Sequence, residues 1–153
     1  MEKTLVVLKP DAVQRGLIGE ILGRLERRGL KIVALRMTQV SDDLARRMYA
    51  VHEGKDFYKP LVRFITASPV VAMVVQGVGA IEIVRNMMGP TFGPDAPGGT
   101  IRGDLGLSRR YNLIHGSDSL ASARQEIPLF FQAEDILDYS LPNEQWVYSE
   151  IDK

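Results

Sequence analysis

The chain has 153 residues, with 19 Lys and Arg balanced by 19 Asp and Glu, no cysteine and only two histidines. That length buries one core without disulfides or a metal, so a single domain over residues 1–153 is expected; the balanced charge gives no global attraction to nucleic acid or an anionic membrane, and neither is expected as a partner. The missing cysteines exclude disulfide and thiolate chemistry, and two histidines are too few for the usual ligand set of a zinc site.

The run KTLVVLK (3–9) is short, β-branched and apolar, and stops at Pro10 as a buried strand does. Ile18, Ile21, Leu22 and Leu25 then recur at helical spacing, leaving Arg24, Glu26, Arg27 and Arg28 for solvent and Gly29 to end the helix. LKIVALRMTQV (30–40) reads as a second strand, and Ser41, Asp42 and Asp43 mark a helix start before Leu44, Met48 and Val51. A short helix opening at Pro60 runs through LVRFIT, and PVVAMVVQG (69–77) reads as a central strand.

Gly79 to Met88 suits a helix with Ile81, Val84 and Met88 inward. In GPTFGPDAPGGTIRG (89–103) eight of 15 residues are Gly or Pro, which predicts a long functional loop. Ser119 caps a helix with Leu120, Ala123 and Ile127 on one side, and IPLFF (127–131) reads as the last strand. The elements predict an α+β fold, a ferredoxin-like βαββαβ sandwich whose four-stranded antiparallel sheet is covered by helices. The N-terminal apolar run is too short for a signal peptide and no window of about 18 apolar residues occurs, so a soluble, cytoplasmic protein is expected.

Phosphate-binding loops are absent: there is no GxxxxGK[ST], and after Gly77 and Gly79 the third glycine position of a dinucleotide fingerprint is Glu82. His115, in NLIHGSDS (112–119), carries the sharper signal. A lone histidine is more often a satisfied structural group, but here a glycine and three helix-capping residues follow it, so it looks presented rather than buried. The run permits a Ser117 hydrolase, although it is not GxSxG. Arg102, after the Gly/Pro loop, is the arginine best positioned for an oxyanion, and Lys9, at a strand end, faces either a ligand or solvent.

KPDAVQRG (9–16), TIRGD (100–104) and NLIHGSDS (112–119), in this order and at these separations, resemble the nucleoside diphosphate kinases. The resemblance covers essentially the whole chain, including SPVVAMV, SARQEI and Trp146, and departs from the family's commoner pattern at Asp56 and in FGPDAPGG (92–99). It implies a ping-pong phosphotransferase that moves the γ-phosphate of a nucleoside triphosphate such as ATP to a nucleoside diphosphate through a phosphohistidine on His115. Glu126 is then the partner of the imidazole's other nitrogen, with Ser117 in support, and Gly116 leaves room for the phosphoryl group.

Carried over position by position, Lys9 contacts the transferring phosphate and the ribose 3′ hydroxyl, and Asn112 binds that hydroxyl. Tyr49 lies near the γ-phosphate, while Arg85, Thr91 and Arg102 hold the β and γ phosphates. Phe57 stacks on the base and Leu61 lines the same slot; stacking without base-edge hydrogen bonds tolerates every base. The resemblance also implies Mg²⁺ carried by nucleotide phosphates and waters, with no dedicated metal-ligating residues. The tail DYSLPNEQWVYSEIDK (138–153) is similar to those of hexameric members, so a homo-hexamer is preferred to a tetramer. Two other activities stay open: a histidine-based phosphohydrolase, and a non-catalytic regulator of the same fold. His52 is expected to be an ordinary surface or packing residue.

Overall fold

Apolar and β-branched residues from Leu5 to Leu8 are buried on both faces of the first strand, and that double burial makes it an inner strand. The computed structural model describes residues 1–153. Strands β1 (Glu2–Leu8), β2 (Lys31–Thr38), β3 (Val70–Gly77) and β4 (Ile114–Gly116) form one antiparallel sheet in the order β2-β3-β1-β4. The helices are α1 (Pro10–Gln14), α2 (Ile18–Arg27), α3 (Asp42–Met48), α4 (Tyr58–Thr66), α5 (Ala80–Met88), α6 (Ile101–Leu105) and α7 (Leu120–Phe130). This is the expected four-stranded antiparallel α+β fold, and none of its helices is long and apolar enough to cross a membrane.

The strand period of two splits the core into two layers. Val6, Leu8, Val71, Met73 and Val75 pack against Ile21 and Leu25 of α2 and Ala80, Val84 and Met88 of α5. Leu5, Val7, Val70, Ala72 and Val74 face Ala45 and Met48 of α3, Ile65 of α4 and Phe130 of α7. Each fully buried large aliphatic side chain in these layers contributes about 1.5–3 kcal/mol.

The fourth strand is not the expected one. IPLFF lies at the end of α7 and in the residue after it, and the strand is the three-residue IHG that contains His115. Ser119 starts α7 by accepting the Ser122 N–H at 3.1 Å, and Ala123, Ile127 and Phe130 then recur on one face, so helical spacing overrides the β propensity of the run. Pro128 falls late in this helix.

Three smaller corrections concern the sequence-derived boundaries. The chain turns into α1 directly after Lys9, with Pro10 at the first helical position. Pro60 is the third residue of α4, which begins at Tyr58. The Gly/Pro-rich loop ends in helix α6, capped by Thr100, whose hydroxyl accepts the Gly103 N–H at 3.0 Å.

A Cβ on Gly103 would come within 2.0 Å of the Pro97 carbonyl oxygen, so the loop closes onto α6 through a glycine. Gly103→Ala is expected to destabilise the protein by about 1–3 kcal/mol, read as a lower urea midpoint at unchanged m-value.

Candidate active site

The register of β4 aims the histidine. His115 lies opposite Val7 in the ladder, on the face covered by α3, α4 and α7, whereas Ile114 opposes Leu8 and joins the other core layer. On α7, Glu126 lies three residues after buried Ala123 and four before buried Phe130, hence on the inward face. The imidazole Nε2 meets Glu126 Oε2 at 3.0 Å, and the Ser117 hydroxyl donates to the same oxygen at 2.6 Å. A carboxylate only accepts, so Nε2 carries the hydrogen and Nδ1 keeps its lone pair.

Burial pushes the Glu126 carboxyl up, but the hydrogen bond from His115, the imidazole's charge and the Ser117 hydroxyl outweigh it, and the net direction is downward. The carboxylate is therefore ionised and locks one tautomer of the ring.

A second cluster adjoins the histidine through the backbone before β4. Lys9 Nζ donates to Asn112 Oδ1 at 2.7 Å, and Asn112 Nδ2 donates to the Thr91 carbonyl at 2.9 Å. Arg102 donates through Nε to the carbonyl of Asn112 at 3.1 Å, and through its two terminal nitrogens to those of Gly89 at 3.1 Å and Ile114 at 2.6 Å. Lys9 and Arg102 are only 7% and 4% exposed.

Burial, then the Arg102 charge, lowers the Lys9 pKa to about 8 against a smaller opposing pull from Asp11. Burial, then Arg85, lowers that of Arg102 to about 10. Two inner cations this close, with only the half-buried Asp11 carboxylate beside them, leave positive potential for an anion.

The remaining expected residues surround these clusters. Tyr49 is buried, its hydroxyl has no hydrogen-bond partner, and burial together with the Glu126 charge pushes its pKa up. Phe57 is half exposed at the start of α4; its ring meets His52 edge-on at 5.1 Å, and His52 lies 6.3 Å from the Tyr49 ring. Leu61 packs on the core layer under α3, α4 and α7. Arg85 is exposed, with one nitrogen 3.5 Å from the Gly116 carbonyl, and Thr91 is exposed.

Gly116 does not serve the purpose expected of it. Its missing side chain would point at Met88 Sδ, 2.6 Å away, and Val84. Strand alternation turns it away from the imidazole, so it is glycine because α5 packs closely there.

Sequence reasoning missed Asp11, whose Oδ2 accepts the Leu113 N–H at 3.1 Å. It also missed the backbone-holding task of Arg102. Asp11 sits within the KPDAVQRG motif, and that was the only available signal.

Residues 2–136 match the family model described as nucleoside diphosphate kinase. The chain belongs to the nucleoside diphosphate kinase family. It is 52% identical over 148 residues to the nucleoside diphosphate kinase of Pelotomaculum thermopropionicum, covering 97% of this chain and 99% of that one. With the enzyme of Archaeoglobus fulgidus the identity is 51% over 150 residues, covering 98% and 99%.

Among solved structures, the halophilic nucleoside diphosphate kinase of Halobacterium salinarum in complex with CDP is similar at a TM-score of 0.94 and 48% identity, covering 96% of this chain and 98% of that one. The transition-state mimic of the Borrelia burgdorferi nucleoside-diphosphate kinase, with bound vanadate and ADP, has a TM-score of 0.89 and 40% identity, covering 95% of each chain.

In this family member the Glu126 carboxyl sits below its unfolded pKa. The stability it contributes is present above the unfolded value and is lost as pH falls through the folded one. Glu126→Gln is expected to lose less Tm than the parent between neutral pH and the carboxylate range, as scanning calorimetry of both proteins would read.

Proposed function

We propose that the chain catalyses ping-pong phosphoryl transfer between nucleotides through a phosphohistidine on His115. Nucleotide phosphotransfer is the activity of the family to which it belongs. The observation that carries the finer reading is the pair of contacts on Glu126: Nε2 is engaged at 3.0 Å, which leaves Nδ1 as the nucleophile.

In the first half-reaction Nδ1 attacks the γ-phosphorus of a nucleoside triphosphate, the bond from that phosphorus to the bridging oxygen breaks, and the diphosphate leaves with the electron pair. In the second, a terminal oxygen of another nucleoside diphosphate attacks the phosphohistidine and regenerates the free imidazole. The developing positive charge on the ring is met by the ionised Glu126. Lys9, Arg85 and Arg102 supply charge to the phosphates, Thr91 and Tyr49 supply hydroxyls, and Asn112 and Lys9 take the ribose 3′ hydroxyl. Phe57 stacks on the base, with Leu61 in the same slot, and stacking, which every base can make, gives broad base specificity.

No three His, Cys, Asp or Glu side chains are gathered to hold a metal, whereas the basic cluster fits a phosphate chain. This donor set fits Mg²⁺ arriving on the nucleotide, held by phosphates that Lys9, Arg85 and Arg102 position. When bound, the ion neutralises charge on the transferring group.

The same reading makes the protein a cytoplasmic homo-hexamer. Leu35 and Met37, on the edge strand β2, and Trp146 and Ile151, in the tail, are more than half exposed in the single chain, an apolar surface that subunit contacts would cover. Light scattering is expected to give six times the chain mass.

Mixing the protein with γ-labelled ATP, removing nucleotide and adding GDP tests the mechanism. Label is expected on the protein, stable to base and labile to acid, then on GTP, and absent in His115→Ala; release as free phosphate would favour hydrolysis, and no labelling a regulator. Lys9 loses its proton as pH rises through about 8, so kcat/KM is expected to fall across that range.

A further inference from the structure

The phosphotransfer mechanism gives Asp11 no task, yet this acid is bonded to the most unusual residue of the backbone. Leu113 has φ of 71°, the only non-glycine residue with a positive value. The Ile114 N–H reaches back to the Asn112 carbonyl at 2.8 Å, which closes a γ-turn around Leu113. A branched residue held there is strained and persists only where its surroundings over-determine it.

Those surroundings come from the start of α1. The Leu113 carbonyl accepts the Lys9 N–H at 2.8 Å, and the Leu113 N–H donates to Asp11 Oδ2 at 3.1 Å. Both backbone groups of the bend are thus taken by residues 9 and 11, and His115 follows two residues later. The bend also aims Asn112, whose side chain meets the Lys9 ammonium.

We propose that Asp11 is a positioning residue for phosphotransfer: its carboxylate holds the Leu113 bend that aims His115, and its charge balances the two buried cations, Lys9 and Arg102. The proposal rests on the phosphotransfer reading above. A residue kept for stability alone would be poorly chosen, because Asp11 Oδ1 is buried without a hydrogen-bond partner and burial drives the carboxyl toward its neutral form. The charged groups facing Lys9 are Arg102 from α6 and Asp11 from α1, while Arg85 of α5 faces Arg102. Without the Asp11 charge, the one charge still acting on the Lys9 ammonium is the repulsive one of Arg102, and its hydrogen bond to Asn112 is to a neutral amide.

The test compares the full-length parent with Asp11→Asn and Asp11→Ala, by thermal unfolding and by kcat/KM for ATP-to-GDP transfer against pH. Asn keeps an acceptor for the Leu113 amide and loses the charge. Since ionised Asp11 is disfavoured by burial, Asp11→Asn is expected to keep or raise Tm, to move the alkaline limb to lower pH, and to lose on the order of tenfold in kcat/KM at pH 8. Asp11→Ala also releases the bend and is expected to lose about 100-fold at every pH.

An Asp11→Asn protein that is folded with the parent's rate and alkaline limb would overturn the proposal. So would one that loses Tm and rate together at an unchanged profile, or that does not fold, since each outcome makes Asp11 merely structural. If Asp11→Ala fails to fold, Asp11→Asn alone decides. Absence of transfer by the parent would instead sink the phosphotransfer reading itself.

Discussion

The site depends on one buried guanidinium. Arg102 reaches from α6 beneath the segment before β4 and binds the carbonyls of Asn112 and Ile114, either side of Leu113, together with that of Gly89 at the end of α5. A charged group so deeply buried is costly unless its donors are paired, and these backbone carbonyls, that of Asn112 already accepting the Ile114 N–H, have lone pairs left to take them. Each satisfies the other, and the bend, the loop and the helix after it are tied to a single point. The long Gly/Pro-rich loop is therefore ordered by what its last residues grip.

Electrostatics at this point are arranged for a visitor. Lys9 is bonded to a neutral amide, Arg102 to carbonyl oxygens, and the one acid between them is itself disfavoured as an ion. Folding alone would favour carboxylates opposite both cations. The chain gives up that stability and sets one carboxylate against two cations, so net positive charge remains, which suits a polyphosphate and matches the usual opposition between stability and activity. The opposite holds at Glu126, whose Oε2 is engaged by two donors, because there the need is to fix a ring rather than to receive charge.

The fold class and most elements were legible because their signals are local and long. Unbroken apolar runs, Leu5 to Leu8 before Pro10 and Val70 to Val75 before Gly77, mark β1 and β3, and a 3.6 period marks α2 and α5. The fourth strand was not legible. Three residues show no period, and their membership in the sheet comes from pairing with Val6, Val7 and Leu8, more than a hundred positions away. IPLFF carried the better local strand signal, and the helix won because Ser119 caps it and its apolar face meets the core layer shared with α3 and α4.

The candidate site divides along the same line. The sequence by itself determined the residue types: a histidine followed by small capping residues, arginines after a glycine-rich run, a lysine at a strand end, and the order of motifs that identifies the family. Chemistry of that kind is written in side-chain identity and short spacing, which a chain displays before it folds. Only the tertiary structure decided that Nε2 rather than Nδ1 is engaged, that Gly116 serves α5 and not the imidazole, that Arg102 grips backbone, and that Asp11 holds Leu113 in its bend. These depend on distances between segments far apart in sequence, set by sheet register and by burial on both faces, and no local pattern encodes them.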